Sequence, residues 1–292
     1  MQNRIGAARG ISRRGFLGAA TCVTAGLSAE LNAQSSRRIP VGVLLYAVQK
    51  ELNSDFNGTL RAVADMGYEG VEFTQYIDWT PARAKEIRGV LDDLHLTCYS
   101  THNEPDVYTD RLDHAIEINH ILGCRSLSCV RGLAASPGGI GYQASGLDGW
   151  KKLAGILGKS AERLKRENQR CAFHNHAVEF DMLDGQRPID ILATAPDLFF
   201  QTDIWTCSQH ADPVAFIKQY PGRHDCILTT DGPPVNKKAP LLGKGQIPWK
   251  QVFSAAEKEG GIRFYLITQS ATELSQMEAI RKDLELFRGL RG

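Results

Sequence analysis

Titratable and amide side chains stand at the ends of short apolar runs along this 292-residue chain. Imidazole and carboxylate groups move protons in general acid/base catalysis, and together with amide oxygens they also bind divalent cations. A strand end that turns inward is normally apolar or small, so polar groups at many such ends predict a functional pocket. The residues are Glu72, His102, His174, Asn175, His176, Glu179, Asp203, Asp231 and Gln269.

Single members of this set also have structural interpretations. Glu72 would serve as a hydrogen-bond partner of neighbouring backbone, and Asp231, in the sequence DGPP, would shape a turn. The prediction of a site therefore depends on whether the fold brings the set together.

The apolar runs alternate with helical patterns and predict eight strand–helix units. Helix starts such as Thr80-Pro81 and stops such as Gly67 and Gly123 separate the runs. Eight units in roughly 250 residues are typical of a single (β/α)8 TIM barrel, an α/β fold whose active site lies at the carboxyl ends of the strands. A doubly wound sheet is the alternative, but no GxGxxG follows the first strand. The predicted strands are 41–48, 70–74, 96–103, 126–130, 171–176, 198–205, 226–232 and 263–268.

The amino terminus has the pattern of an export signal rather than of the fold. Residues 12–17 read SRRGFL, a modest apolar run follows, and small residues lead to Ala33. This predicts a twin-arginine signal peptide at 1–33, a barrel domain at 39–292 and a periplasmic or secreted protein. A lipoprotein anchor at Cys22 and a helix start that happens to hold two arginines are the alternatives.

Charge and hydropathy exclude several classes of protein. Lys and Arg number 34 against 33 Asp and Glu, with no basic blocks, which argues against a nucleic-acid-binding protein. The sequence has no unbroken run of about 18 apolar residues, which a membrane-spanning helix would need. No stable membrane association is therefore expected. Several of the six cysteines after the signal lie in strand-like runs, and none has CxxC spacing. They are predicted to be buried free thiols, with one disulfide such as Cys124–Cys129 as the alternative.

Several motifs follow one another in order across nearly the whole predicted barrel: GVLLYAV, MGYEGVEF, STH, FHNHAVEF, DIW and GKGQIPW. In combination they resemble the sugar phosphate isomerase/epimerase family of the xylose isomerase-like TIM barrel superfamily. The resemblance implies Mn²⁺ or Mg²⁺ at the ends of strands five to eight. The metal would polarise a sugar carbonyl while an acidic residue moves a proton from the neighbouring carbon through an enediolate.

Carried over by position, the resemblance assigns roles within the set. It implies His174, Glu179 and Asp203 as metal ligands, although which strand-five residue binds the metal stays open. It implies catalytic roles for Glu179, Asp203 and His176. Contacts with the substrate are then expected from Glu72, His102, Asp231 and Gln269.

Two positions depart from the family pattern. Strand seven usually reads close to LLHVKD, but this chain has Leu228 at the liganding His and Thr230 at the Lys. Strand eight usually ends in a Glu, which here is Thr268. His224 comes too early in strand seven to replace the missing ligand. Bound Mn²⁺ or Mg²⁺ is therefore expected to be weak or absent.

Three functions remain open from the sequence. The first is an exported isomerase, epimerase or related lyase that moves a proton next to the carbonyl of a non-phosphorylated sugar. The second is a catalytically inactive carbohydrate-binding pseudoenzyme, and the third is a barrel that serves as a scaffold or partner subunit. A glycosidase that uses Glu179 and Asp203 is a further formal alternative. The expected partner is a small carbohydrate, and the oligomeric state is undetermined.

Overall fold

A computed structural model describes residues 38–74, 76–132 and 146–291. Within them, eight parallel strands close into a barrel in chain order, with β1 paired to β8. This confirms the (β/α)8 TIM barrel. The predicted signal at 1–33 lies outside the described residues. The strands are β1 (Val41–Leu44), β2 (Gly70–Phe73), β3 (Thr97–Asn103), β4 (Ser126–Cys129), β5 (Arg170–His174), β6 (Leu198–Asp203), β7 (His224–Leu228) and β8 (Phe264–Ile267).

Helices follow the strands and cover the outside of the barrel. Short 3-10 helices follow β1 at Leu45–Val48 and β5 at Ala177–Phe180, and a π-helical turn spans Ala256–Gly260. The α-helices are α1 (Gln49–Ser54), α2 (Phe56–Asp65), α3 (Pro81–Asp93), α4 (Val107–Asp110), α5 (Leu112–Leu122), α6 (Gly146–Arg166), α7 (Pro188–Leu192), α8 (Ile204–Ser208), α9 (Pro213–Gln219), α10 (Trp249–Ala255) and α11 (Gln276–Arg291).

Local signals in the sequence set several helix boundaries. The Asp55 side chain accepts a 2.9 Å hydrogen bond from the Gly58 backbone and begins α2. Thr80 does the same for the Arg83 backbone at the start of α3. Gly123 ends α5 with φ of 69°, a left-handed conformation that glycine adopts without strain. These three capping residues mark where helices begin or end between successive strands of the barrel.

The predicted strand bounds all differ from the observed ones, and the first and seventh strands differ most. The first ends at Leu44, and Leu45–Val48 turns into a 3-10 helix instead of continuing the strand. The seventh runs from His224 to Leu228, earlier than the predicted 226–232. A continuous apolar run fits a buried strand and a buried helical turn equally well, so hydropathy alone does not place these boundaries.

The inside of the barrel is divided into an apolar and a polar half. The apolar half consists of Leu44, Cys226, Leu228, Phe264 and Leu266, from β1, β7 and β8, and all five are buried. The polar half comes from β2 to β6 and contains the candidate site. Because side chains alternate along a strand, Thr268 has the same inward direction as Leu266.

Tyr99 fills the barrel interior beneath the candidate site. A register shift between β2 and β3 leaves this residue as an extra one in β3. Its ring stacks on Phe264 with centroids 4.9 Å apart. It also occupies the space beside Gly42 and Gly70, where an added Cβ would lie 2.8 Å and 2.5 Å from ring atoms. Both glycines are therefore required for packing rather than for turns.

A buried ion-pair network closes the end of the barrel at which the strands begin. Asp225 accepts hydrogen bonds from Arg263 at 2.7 and 2.8 Å, Arg170 at 3.0 Å and Ser126 at 2.6 Å. Burial raises the pKa of Asp225, but the two guanidinium groups outweigh it and the net pKa is lowered. These four residues come from β4, β5, β7 and the start of β8, so the network ties the strands together away from the site.

The remaining sequence predictions concern cysteines and membrane association. All six cysteines of the described residues are free and buried, which confirms free thiols for them. None of the described helices combines the length and the hydropathy needed to cross a bilayer.

Candidate functional site

Glu72 is the centre of the polar half of the barrel. It is completely buried, and its carboxylate accepts hydrogen bonds from the Ser100 hydroxyl and the Gln201 amide. His102 Nε2 lies 2.9 Å from its second oxygen. A substrate contact by Glu72 stays a prediction, but one of its oxygens already accepts from two protein groups and the other lies against His102. Glu72 contacts His102, and His102 lines the cleft at the open end of the barrel.

Three histidines line the carboxyl ends of β3 and β5. The ring centroids of His102 and His174 are 4.9 Å apart, and those of His174 and His176 are 5.0 Å apart. Burial and then His102 lower the pKa of His174 well below its ordinary value and that of His176 to about 4. Burial also acts to lower the pKa of His102, but Glu72 outweighs it and the net pKa is raised. Of the three rings, only His102 has its pKa raised, because Glu72 lies beside it.

Glu179 follows β5 in the 3-10 helix and is fully buried. One oxygen accepts a 2.6 Å hydrogen bond from the His176 backbone, whereas Oε1 has no hydrogen-bond partner among the described residues. Burial raises the pKa of Glu179 to about 8, and the backbone hydrogen bonds only partly oppose this. At neutral pH its carboxyl group is therefore mostly protonated and able to donate.

Asp203 ends β6 and is held in a different environment. Its carboxylate accepts hydrogen bonds from the Thr206 backbone at 2.9 Å and from the Thr230 hydroxyl at 3.2 Å. Burial raises its pKa to about 6. Asn175 joins β5 to this position, since its amide oxygen accepts from the Asp203 backbone at 3.0 Å. Two carboxyl groups on neighbouring strand ends therefore have separated pKa values, which is how one site holds both a base and an acid.

A cleft of about 630 Å³ opens beside His102 over the ends of β1 to β4. Its size falls within the usual range for a small-molecule site. Tyr46, which is 66% exposed, offers an apolar ring face to the cleft. Three carboxylates and one arginine also line it. These are Asp78, Glu104, Asp106 and Arg131.

The residues present do not fit the divalent metal of the resemblance. Leu228 lies beside Asp203 in the sheet and packs in the apolar half of the barrel, so it supplies no ligand there. Thr268 supplies a neutral hydroxyl where a carboxylate is expected. Among the described residues no three His, Cys, Asp or Glu side chains are grouped to hold a metal ion. In the described part of the chain, His174, Glu179 and Asp203 lie at the ends of β5 and β6 but are not grouped as metal ligands.

Asp231 has a structural role in the loop that contains GKGQIPW. It accepts hydrogen bonds from the Gly243 and Gly245 backbones at 2.8 and 3.3 Å and from the Trp249 indole at 2.8 Å. The Gly232 and Ile247 backbones, at 2.8 and 3.4 Å, complete the set. A substrate contact by Asp231 stays a prediction, but its carboxylate is already shared among five donors.

Gln269 is likewise used within the fold. Its amide nitrogen donates to Asp283 at 2.9 Å and to the Pro240 carbonyl at 3.2 Å, and its oxygen accepts from the Ser270 backbone at 2.9 Å. Its predicted contact with a substrate is untested by these bonds. They give Gln269 the role of joining the end of β8 to α11.

We expect Asp231→Asn to lower the free energy of unfolding by about 2–3 kcal/mol. An amide places hydrogens against part of the donor set and leaves buried N–H groups unpaired. Urea unfolding of the variant measures this loss. Asp113→Asn is the matched control, because that side chain is 90% exposed, and it should change stability by less than about 0.5 kcal/mol. Equal losses in the two variants would contradict the anchoring role.

The comparison with protein families identifies the chain. The profile of the xylose isomerase-like TIM barrel family matches residues 60–290, so the chain belongs to this family. No curated protein matches the chain.

Solved structures share the fold at low sequence identity. A sugar phosphate isomerase/epimerase from Parabacteroides distasonis ATCC 8503 is 17% identical with a TM-score of 0.73, over 87% of this chain and 97% of that one. An L-ribulose 3-epimerase is 18% identical with a TM-score of 0.61, over 87% and 94%. A D-psicose 3-epimerase, solved in the presence of D-fructose, is 10% identical with a TM-score of 0.63, over 86% and 99%. At these identities the similarity establishes the fold alone.

Two residues that shape the site were not assigned roles from the sequence. Gln201 lies two positions before Asp203 on the same face of β6, and Asn175 lies between the two histidines of β5. Strand alternation was the available signal for Gln201, since it puts this amide inside the barrel with Asp203. The partners of Asn175 come from β6 and α8, and its sequence position does not predict them.

Proposed function

We propose that this chain moves a proton on the carbon next to a carbonyl group of a non-phosphorylated sugar, without the divalent metal of its family. The observation that carries the proposal is the pair of buried carboxyl groups, Asp203 with a pKa of about 6 and Glu179 with a pKa of about 8. Near neutral pH, Asp203 is mostly ionised and acts as the base. Glu179 is mostly protonated and acts as the acid.

Asp203 removes the proton from the carbon, and the C–H electron pair forms a carbon–carbon double bond while the carbonyl oxygen takes the proton of Glu179, which gives an enediol. For the isomer, Asp203 returns its proton to the former carbonyl carbon, and the hydroxyl group on the neighbouring carbon gives its proton to Glu179 and becomes the new carbonyl. For the epimer, the first carbon takes a proton from water on its opposite face, the enol hydroxyl returns its proton to Glu179 to restore the carbonyl, and Asp203 releases its proton to solvent. His176 supports the acid, because its backbone N–H holds one oxygen of Glu179 at 2.6 Å.

The lining of the cleft supports a neutral sugar rather than a sugar phosphate. Glu104 lies 3.4 Å from Arg131, and Asp78 lies 2.7 Å from Arg111, so both cations are already neutralised. A phosphate would therefore meet carboxylates without a free cation among these lining residues. Hydroxyl groups instead suit the exposed carboxylate acceptors, and the Tyr46 ring suits an apolar sugar face.

Solvent deuterium exchange tests the proposed function without a known product. We expect the purified protein to exchange the hydrogen next to the carbonyl of at least one ketose in D₂O, measured by ¹H NMR. D-psicose, D-fructose and L-ribulose form the first panel, because neighbours of the same fold carry these names. Isothermal titration calorimetry on the same panel provides the comparison.

A carbohydrate-binding pseudoenzyme is the second candidate, favoured by the loss of ligands at Leu228 and Thr268. It predicts saturable binding of a panel sugar with no deuterium exchange. Deuterium exchange of a sugar whose binding does not saturate at low sugar concentration is expected of the enzyme and not of the pseudoenzyme. Neither binding nor exchange on a broad panel would contradict both functions.

We also infer that residues 1–33 direct twin-arginine export to the periplasm or beyond. The support is the sequence SRRGFL, followed by a modest apolar run and a small-residue site. Expressed in a bacterium with this pathway, the full chain should appear in the periplasmic fraction. Arg13→Lys with Arg14→Lys should retain it in the cytoplasm, whereas Arg4→Lys with Arg9→Lys should not. Equal export of both variants would contradict the inference.

A further inference from the structure

The hydrogen bonds around Gln201 fix the direction of its amide group. The Glu72 carboxylate only accepts hydrogen bonds, so the Gln201 nitrogen must face it and donate. The Gln201 oxygen then faces the opposite way. It accepts from the Ser128 hydroxyl at 2.8 Å and lies 2.8 Å from His102 Nε2. Glu72, Gln201 and Ser128, the other residues of this network, are at least nine-tenths buried.

His102 Nε2 consequently faces two acceptors. Its hydrogen bond is with Gln201 Oε1 at 2.8 Å, whereas Glu72 Oε1 lies 2.9 Å away without hydrogen-bond geometry, and neither oxygen has a hydrogen to give. Nε2 must therefore carry the hydrogen. Nδ1 has no hydrogen bond from the described residues, and the ring lines the cleft with 12% of its side chain exposed. Nδ1 is thus the ring nitrogen left for a ligand.

We propose that Glu72 and Gln201 are positioning residues that hold neutral His102 as its Nε2–H tautomer and leave Nδ1 to contact the substrate. This rests on the proposed function for the identity of the ligand, a sugar whose hydroxyl group donates to Nδ1. The carboxylate of Glu72 fixes the orientation of the Gln201 amide. The amide and the carboxylate together fix the tautomer of the His102 imidazole. A substrate in the cleft therefore meets an acceptor of fixed direction.

The tautomer is measured directly, without substrate, by long-range ¹H–¹⁵N NMR correlation of ¹⁵N-histidine-labelled protein at a pH where His102 is neutral. The His102 signals are assigned by their loss in His102→Gln. We expect hydrogen on Nε2 and a bare Nδ1 in the native protein. A hydrogen on Nδ1 of the neutral ring would overturn the proposal. The tautomer itself is measured on the native protein, so a destabilised variant does not affect the result.

The matched variants separate positioning from simple packing. Glu72→Met combined with Gln201→Met removes both acceptors that face Nε2, so a hydrogen on Nδ1 should appear in a large part of the population. Ser100→Ala removes another Glu72 partner but leaves both His102 contacts, so the native tautomer should persist. An unchanged tautomer in the folded double variant, or a switch in Ser100→Ala, would overturn the proposal. A correct tautomer without deuterium exchange on any ketose would instead remove the proposed function.

Discussion

Asp203→Asn should slow deuterium exchange by about 10²- to 10⁴-fold, because it removes the base that takes the carbon-bound proton. The amide keeps the size of the side chain and can still accept from Thr206, so the fold should persist. The rate is measured by ¹H NMR on the most active ketose of the panel. Asp113→Asn, on the surface, is the control and should retain the native rate.

The pH dependence of the native rate provides a second reading of the same assignment. The rate should rise as Asp203 loses its proton near pH 6 and fall as Glu179 loses its proton near pH 8. Glu179→Gln should also lower the rate, since an amide has no acidic proton to donate. A rate that is unaffected by Asp203→Asn would remove this residue as the base.

Glu179→Gln should stabilise the folded protein at alkaline pH, even though it lowers the rate. The folded-state pKa of Glu179 is raised from 4.5 to about 8, so folding favours its neutral form. Stability from this group is complete below about pH 4.5 and is lost as the pH rises through 8. The variant keeps a neutral side chain throughout. Its free energy of unfolding should exceed that of the native protein by about 4–5 kcal/mol at pH 9, with little difference at pH 4.

Urea unfolding at several pH values checks this prediction. Glu86→Gln is the matched control, because that side chain is 67% exposed and its replacement should leave the pH dependence unchanged. Parallel stability curves for the native protein and Glu179→Gln would show that Glu179 is ionised normally in the fold. In that case Glu179 could not be the acid at neutral pH.

The strand ends were predictable because the sequence carries strong periodic signals there. Glu72, His102, His174 and Asp203 all lie in or at the end of predicted strands, and alternation directs them inward. What the sequence left open was which of them meets solvent. Glu72 is enclosed because Ser100 and Gln201, from other strands, close around it, and such contacts have no signal in the local sequence.

The structural consequence of Leu228 could also not be predicted without knowledge of the fold. The sequence shows that a ligand is missing at this position, but a missing ligand alone leaves room for a replacement from elsewhere. In the structure Leu228 packs with Leu44 and Leu266, and these side chains occupy the side of the barrel opposite the polar half. Leu228 is thus part of one apolar surface, whereas Thr230, the other departure in strand seven, donates a hydrogen bond to Asp203.

The central claim, proton transfer without a divalent metal, is tested most directly by deuterium exchange after treatment with a chelator. Metal content of the same sample is measured by mass spectrometry. We predict an unchanged exchange rate with far less than one Mn, Mg or Zn per chain, and no increase when Mn²⁺ is added. Loss of exchange on chelation, with recovery on addition of Mn²⁺, would contradict the claim.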